Sequence, residues 1–277
     1  MTSNNSPAAS VTFVGNATTV LRMGDFTLLT DPNFLHAGQR AYLGYGMWTR
    51  RLKDPALDIP DLPPLDGVLL SHLHGDHFDR VARRDLPRHL TVVTTPAAQR
   101  RLRRWGFRAA NGLATWESHE FVRGDQVLRV TAVPAHHGPH GLKWLLPPTM
   151  GEIVEWEREG QPLLCLYISG DTLYRPDFAE IPRRYPRIDA MLVHLGGTRV
   201  LGVQLTLDGS QGHQLTRLMR PRVTVPIHYD DYTVMRSPLR DYVDEVNRDA
   251  SITQLLTVRR GETVELPVPR VPDLGSA

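Results

Sequence analysis

The chain of 277 residues has one cysteine, Cys165, and two lysines, Lys53 and Lys143. A single thiol excludes an internal disulfide and a cysteine cage around a structural metal. No apolar stretch approaches the ~20 residues of a transmembrane helix, and Met1 to Ser10 lack the apolar core of a secretory signal. These absences lead us to expect a cytoplasmic protein with no transmembrane segment. Net charge is slight as well, +2, too little to call for a nucleic-acid partner. The densest basic run, Arg100-Arg101-Leu102-Arg103-Arg104, reads as the solvated face of a helix around Leu102, with a phosphate or lipid headgroup contact as the second reading. No Pro/Gly/Ser-rich linker interrupts the chain, and its length suits one large α/β domain. We place that domain at residues 11–267, between a disordered tail at 1–10 and a C-terminal tail at 268–277.

What is present is histidine concentrated in one place. Ser71-His72-Leu73-His74-Gly75-Asp76-His77 follows directly on the apolar run Val68-Leu69-Leu70. Crowded imidazoles repel when protonated and compete for the same partners when neutral. A divalent cation removes the conflict, because zinc-type ions accept neutral imidazole nitrogen and carboxylate oxygen. At the end of a strand, alternation turns residues 72, 74 and 76 to one side and 73 and 75 to the other. An exposed histidine-rich loop is the bland alternative.

Three later segments repeat one pattern, an apolar strand that runs into potential ligands. Val127 to Val133 leads to Pro134-Ala135-His136-His137-Gly138, Leu163 to Ile168 leads to Ser169-Gly170-Asp171-Thr172, and Val223 to Ile227 leads to His228-Tyr229-Asp230. Ligands gathered from several strand ends assemble an open, catalytic site, whereas structural zinc usually takes closely spaced cysteines. Further strands are expected at Val11 to Val14, Thr18 to Leu21, Phe26 to Leu29, Val68 to Leu70, Thr91 to Thr94, Ala190 to Val193 and Glu262 to Leu266. Helices are expected at Phe78 to Arg84, Pro96 to Trp105, Ser210 to Met219 and Leu239 to Asn247.

The string His72-x-His74-x-Asp76-His77, followed by a histidine, a Gly-Asp-Thr and a final histidine, resembles the metallo-β-lactamase-fold hydrolase superfamily. The likeness runs from about Val11 to Pro267. Leu29-Thr30-Asp31-Pro32, Pro134-Ala135-His136-His137-Gly138-Pro139, Tyr167-Ile168-Ser169-Gly170-Asp171-Thr172 and Pro226-Ile227-His228-Tyr229 are similar to the branch holding ascorbate-6-phosphate lactonase and the N-acyl-phosphatidylethanolamine-hydrolysing phospholipase D. The resemblance implies an α/β fold, the four-layer αββα sandwich, with two mixed β-sheets face to face and helices outside. It also implies two adjacent divalent metal ions, zinc first, with manganese or iron as alternatives. His72, His74 and one histidine of the His136-His137 pair would hold one ion; related Pro-Ala-x-His-Gly patterns favour His137. Asp76, His77 and His228 would hold the other, with Asp171 bridging. One departure stands out: where the family often reads Gly-His-Ala, this chain reads Gly15-Asn16-Ala17, which puts any charged or proton-shuttling role there in doubt.

The resemblance carries a chemistry with it. Water between two metals, roughly 3.5–4 Å apart in such sites, loses a proton near neutral pH and becomes the nucleophile that attacks a phosphodiester or a lactone or other ester. Asp76 would aim it. Two ions bring about +4 against about −3 from Asp76, Asp171 and hydroxide, which favours an anionic substrate or a developing oxyanion. His194, at the end of its strand, is the first candidate to protonate the leaving group and Tyr229 the second; the alternative for His194 is a hydrogen-bonded histidine at the edge of the core. A small-molecule or lipid-like substrate is expected. The irregular segments His36 to Pro64 and His140 to Met150 are candidates to face it or to form a homo-oligomer contact. The rival readings are an iron-dependent oxygen or redox enzyme on the same scaffold and a metal-binding protein without turnover.

Overall fold

Runs such as Val68-Leu69-Leu70 and Ala190-Met191-Leu192-Val193 have no polar side to give to solvent, so strands built from them need cover on both faces. The computed structural model describes residues 8–139, 141, 146–249 and 252–268. Most of both expected tails, and the centre of the 140–150 segment at 140 and 142–145, lie outside those residues.

The chain opens with the meander β1 (Ala9–Gly15), β2 (Thr18–Met23) and β3 (Phe26–Thr30), followed by a small hairpin, β4 (Arg40–Gly44) and β5 (Met47–Arg50). Three short strands, β6 (Gly67–Leu69), β7 (Thr91–Thr94) and β8 (Ala110–Gly112), alternate with helices α1 (Arg80–Asp85) and α2 (Pro96–Arg104). A second series follows: β9 (Ser118–Arg123), β10 (Gln126–Val133), β11 (Gly151–Arg158), β12 (Gln161–Ile168), helix α3 (Glu180–Arg184) and β13 (Ala190–His194). The ribbon β14 (Arg199–Val200) and β15 (Val203–Gln204) precedes α4 (Gly209–Met219), β16 (Val223–Ile227), α5 (Leu239–Arg248), β17 (Gln254–Leu255) and β18 (Thr263–Glu265). One sheet has the order β18-β1-β2-β3-β6-β7-β8 and the other β17-β16-β13-β12-β11-β10-β9. Both are mixed: β3, β6, β7 and β8 run parallel, as do β12, β13, β16 and β17.

Alternation along the strands sorts side chains into three apolar layers. Phe13, Leu21, Leu28 and Leu69 of the first sheet meet Leu128, Val154, Trp156, Leu166, Leu192 and Val225 of the second between the sheets. Val20, Leu29, Val68 and Leu70 face outward onto Ala82, Leu86 and Leu102 of the first two helices and the turns that follow them. On the far side Ile153, Tyr167, Met191 and Val193 pack against Ile181, Leu215, Met219, Tyr242 and Val246. The result is the αββα sandwich. Short side chains cap the helices: Asp79 accepts from Ala82 N at 2.7 Å, Thr95 from Ala98 N at 3.2 Å, and Asp208 from Gln211 N at 2.9 Å.

The structure departs from sequence expectation in several places. β1 begins at Ala9, inside the expected tail, because Ala9 and Ser10 pair with Met23 and Arg22. The first helix starts at Arg80 rather than Phe78, because Asp79 serves as its cap. The segment read as irregular from His36 contains the β4–β5 hairpin, closed by Tyr45 and Gly46 at φ +50° and +77°, the backbone a two-residue type I′ turn requires. No Asn-Gly or Asp-Gly pair announces that turn. β11, Gly-Glu-Ile-Val-Glu-Trp-Glu-Arg, escaped because its glutamates mask the alternation of Ile153 and Val154 with Trp156.

Trp156 is fully buried between the sheets, and its indole N–H donates to Gln126 Oε1 at 3.0 Å. Trp156→Ala should lower the unfolding free energy by about 3–5 kcal/mol, measured by denaturant titration; a loss under 1 kcal/mol would contradict this packing.

Candidate metal centre

The parallel strands all stop at one edge, and the chemistry-bearing residues sit just past their carboxyl ends, where open α/β sheets place ligands. Asp31 follows β3, the 72–77 segment follows β6, Asp171 follows β12, His194 ends β13 and His228 follows β16. His137 arrives at the same edge from the end of β10.

Within the 72–77 segment, alternation accounts for only the first pair. His72 and His74 turn inward while Leu73 packs against the outer core. A turn then takes over: His77 N and Phe78 N both donate to the His74 carbonyl, at 3.1 and 2.8 Å. That turn, rather than an extended strand, delivers Asp76 and His77. It also requires glycine at 75, because a Cβ there would lie 2.7 Å from Tyr42 N.

Two donor groups result, beside a third set, Asp31, His77 and His194, that shares His77 with the second. In the first, His72 Nε2 lies 3.0 Å from His74 Nδ1 and His137 Nε2 lies 3.3 Å from the same atom. In the second, His77 Nε2 lies 3.2 Å from Asp171 Oδ2, and His228 Nε2 lies 3.6 Å from Asp76 Oδ2. Each group offers ligand atoms that all lie within 4.8 Å of one another. The two are neighbours, with the His72 and His77 ring centroids 4.2 Å apart. Three of the ring nitrogens facing away are anchored. Nδ1–H of His137 donates to Leu205 O at 3.1 Å, that of His228 to Leu195 O at 3.3 Å, and that of His77 to Asp31 Oδ2 at 2.9 Å. Such bonds fix the tautomer and leave Nε2 free to ligate.

Electrostatics differ between the groups. Burial, with His77 and the other imidazoles nearby, drives His72 well below its ordinary pKa. Burial and His137 bring His74 down to about 3, and burial lowers His137 too. These three are neutral, the form a metal accepts. In the second group burial works against charge on the imidazoles, yet Asp171, Asp31 and Asp76 outweigh it and raise His77; Asp171 and Asp76 do the same for His228. The pocket therefore favours a positive charge. Asp76 Oδ1, His77 Nε2, Asp171 Oδ1, His194 Nε2 and His228 Nε2 are all buried without a hydrogen-bond partner among the described residues. Each such atom costs on the order of 1–3 kcal/mol, and cations seated among them would relieve it. The residues present fit a metal.

His136, the alternative to His137, turns away. Its Nε2 pairs with Asp177 at 2.7 Å and its ring stacks on Phe178. His194 is fully buried beside His77 and His228, with Nε2 3.5 Å from Asp31 Oδ2 and Nδ1 3.4 Å from Ser169 Oγ. Tyr229 stacks on Phe13 and lines a depression with Lys53 and Arg260, separate from the cleft beside His74. Sequence reasoning gave Asp31 no role, although it lies in a quoted motif. Its carboxylate accepts from Ser71 N at 2.8 Å, from Ser71 Oγ and from His77. Burial would raise its pKa, but His77 and His194 hold it at about 2.

The cleft has a volume of about 620 Å³, with His74 and Gly75 in its wall. Tyr42, Tyr45 and Trp48 of the β4–β5 hairpin, Phe78 and Trp105 line it, together with Arg40, Arg80, Arg83 and Arg101.

A family model described as a β-lactamase superfamily domain matches residues 27–229. A UPF0173 metal-dependent hydrolase of Staphylococcus epidermidis is 27% identical over 207 residues, 73% of this chain and 82% of that protein. An N-acyl-phosphatidylethanolamine-hydrolyzing phospholipase D of Caenorhabditis elegans is 24% identical over 281 residues, covering 92% of this chain and 75% of that one. Among solved structures, the isothiocyanate hydrolase from Delia radicum gut bacteria superposes with a TM-score of 0.76 at 19% identity, over 92% of this chain and 98% of that chain. That last likeness concerns the fold.

The adjacent histidines give a direct test of the geometry. His137→Ala should lower metal content, measured by plasma mass spectrometry after dialysis, whereas His136→Ala should leave it unchanged. The reverse pattern would mean that the first donor group is misassigned.

Proposed function

This chain belongs to the β-lactamase superfamily and is a metal-dependent hydrolase, and from that premise we propose that it uses two adjacent divalent ions to cleave a phosphodiester or a cyclic ester. His72, His74 and His137 hold one ion. Asp76, His77 and His228 hold the other, and Asp171 bridges, its charge being felt at His72, His74 and His137 alike. Zinc suits these nitrogen and oxygen donors, and manganese or iron would also be accepted. When bound, such an ion pair acidifies a water and polarises the oxygen under attack. What supports the reading is the pair of adjacent buried donor groups: His137, His77 and His228 are anchored through their outward ring nitrogens, and in the second group Asp76 Oδ1, Asp171 Oδ1, His77 Nε2 and His228 Nε2 have no hydrogen-bond partner among the described residues.

The protein's own groups do the positioning. Asp76 keeps one carboxylate oxygen unpaired, an acceptor that aims the attacking water. Asp31 holds the His77 ring through Nδ1. The cleft supports a small-molecule or lipid-like anion as substrate. Arg40, Arg80, Arg83 and Arg101 line it and, among the described residues, none of them forms an ion pair with a carboxylate, Arg80 donating instead to Arg40 O at 3.0 Å, while the aromatic wall accepts an apolar portion. Arg83 and Arg101 both lie over the Trp105 ring, with guanidinium carbons 4.2 and 5.4 Å from its centroid, so two positive charges flank one apolar surface.

Metal content measured beside a panel of bis-aryl phosphate, lactone and β-lactam substrates tests the proposal. About two equivalents of metal with turnover of a phosphate diester or lactone is expected, and Asp171→Ala should reduce occupancy of both positions. Full metal content and full rate in that variant would remove the bridging role, and inertness across the panel would remove hydrolysis of these classes. Arg83→Ala should raise KM for an anionic substrate about 10-fold, the size of a lost charge-assisted contact, with KM for a neutral lactone unchanged. Equal effects on both would exclude charge recognition by the cleft.

A further inference from the structure

Asn16, in Gly15-Asn16-Ala17, is engaged through its backbone and its side-chain nitrogen, while its Oδ1 is buried with no hydrogen-bond partner among the described residues. It occupies the turn between β1 and β2 at φ +55°, a backbone region that asparagine enters more readily than other residues with side chains, glycine apart. It is fully buried and held from three directions. Its N–H donates to Asp231 Oδ2 at 2.8 Å. Its carbonyl accepts from His228 N at 2.9 Å. Its side-chain Nδ2 donates to the Asp76 carbonyl at 2.7 Å; that partner is acceptor only, which fixes the amide orientation with nitrogen toward Asp76.

The support behind Asn16 is rigid. Asp231 is fully buried and is engaged by Arg51 Nη2 at 3.2 Å and by Arg260 Nη2 at 2.9 Å. Arg51 is buried as well and donates to the Asn33 carbonyl at 3.0 Å. One residue thus joins this charged anchor to the backbones of Asp76 and His228, which come from opposite sheets and belong to the same donor group. None of its three hydrogen bonds reaches His72, His74 or His137.

We infer that Asn16 is a positioning residue for the second donor group alone, setting the separation of Asp76 from His228 and hence the affinity for the second of two metal ions. This rests on the two-ion reading above. Histidine at this position would bring a bulkier, ionisable ring into a turn whose partners are a carbonyl and a buried carboxylate. Asparagine supplies a donor with no proton to lose. Outer partners of this kind typically change metal affinity 10–100-fold when removed.

Asn16→Gly separates backbone from side chain, since glycine keeps the positive φ, the N–H to Asp231 and the carbonyl to His228 while deleting the amide. Asn16→Asp keeps the shape and removes the donor. Each variant would be titrated with zinc against a chromophoric chelator, with thermal melting of the metal-free protein as a control on folding. The expected result is a first equivalent bound as in the wild type, a second weakened 10–100-fold, and a melting temperature for Asn16→Gly close to wild type. Wild-type affinity for both equivalents in both variants overturns the inference, and so does equal weakening of the two, which would make the effect a general loosening. Failure of the wild-type protein to take up a second equivalent would instead strike at the two-ion reading itself, before any variant is compared.

Discussion

Imidazole nitrogens and carboxylate oxygens packed side by side away from water repel or go unsatisfied unless positive charge sits among them, and the edge of this molecule is organised around that demand. His72, His74 and His137 are neutral and present lone pairs to a common point. Asp76, His77, Asp171 and His228 carry enough negative charge between them to raise the basicity of their own histidines. Neither group is a comfortable apolar core, and among the described residues neither is closed by ion pairs with arginine. The surrounding structure keeps these side chains in place by holding the far side of three of the rings, those of His137, His228 and His77, through Leu205, Leu195 and Asp31, and leaves their near side open to metal.

Holding such groups together needs rigidity, which comes from the layers. Apolar contacts between the sheets and under the helices on both outer faces fix the strand ends that carry the ligands. The two halves of the second group come from different sheets, so sheet-to-sheet packing alone leaves their spacing to loops. The Arg51–Asp231–Arg260 cluster closes that gap. Arg51 pairs with Tyr232 in an isolated bridge, and Leu52 N donates to the Asp231 carbonyl at 2.8 Å, tying the chain after β5 to the segment that follows His228. Buried ion pairs add little net stability in many proteins; here the cluster anchors the backbone beside the site.

The β4–β5 hairpin links structure to selectivity. Its aromatic residues stay exposed, with Trp48 at 58% and Tyr45 at 68%, because they line a cleft instead of filling the core. Gly75 packs its backbone against Tyr42, so the hairpin is docked onto the same turn that delivers Asp76 and His77. A substrate held against the aromatic and arginine wall would thereby be held next to His74.

Much of this was legible in the residues. The His72-x-His74-x-Asp76-His77 string, strands running into His137, Asp171 and His228, and apolar runs too continuous for a one-sided sheet depend only on local order along the chain. Strand period and donor chemistry are local properties, and they sufficed to indicate a metal site; the two-sheet sandwich was implied by the family resemblance that those motifs carry. Four of the five helices described above were expected for the same local reason, whereas the short α3 was not. The β4–β5 hairpin, the glutamate-masked β11 and the turn that delivers Asp76 were not legible, since positive-φ closure and cross-strand pairing override local pattern. Asp31 and Asn16 gained their roles only from neighbours 40 to more than 200 positions away. The placement of His194 beside Asp31 and His77, the turning of His136 toward Asp177, and the separation of Tyr229 from the cleft were likewise decided by tertiary structure. Which atoms meet across two sheets depends on how those sheets pair and pack, and no short window of sequence contains that information.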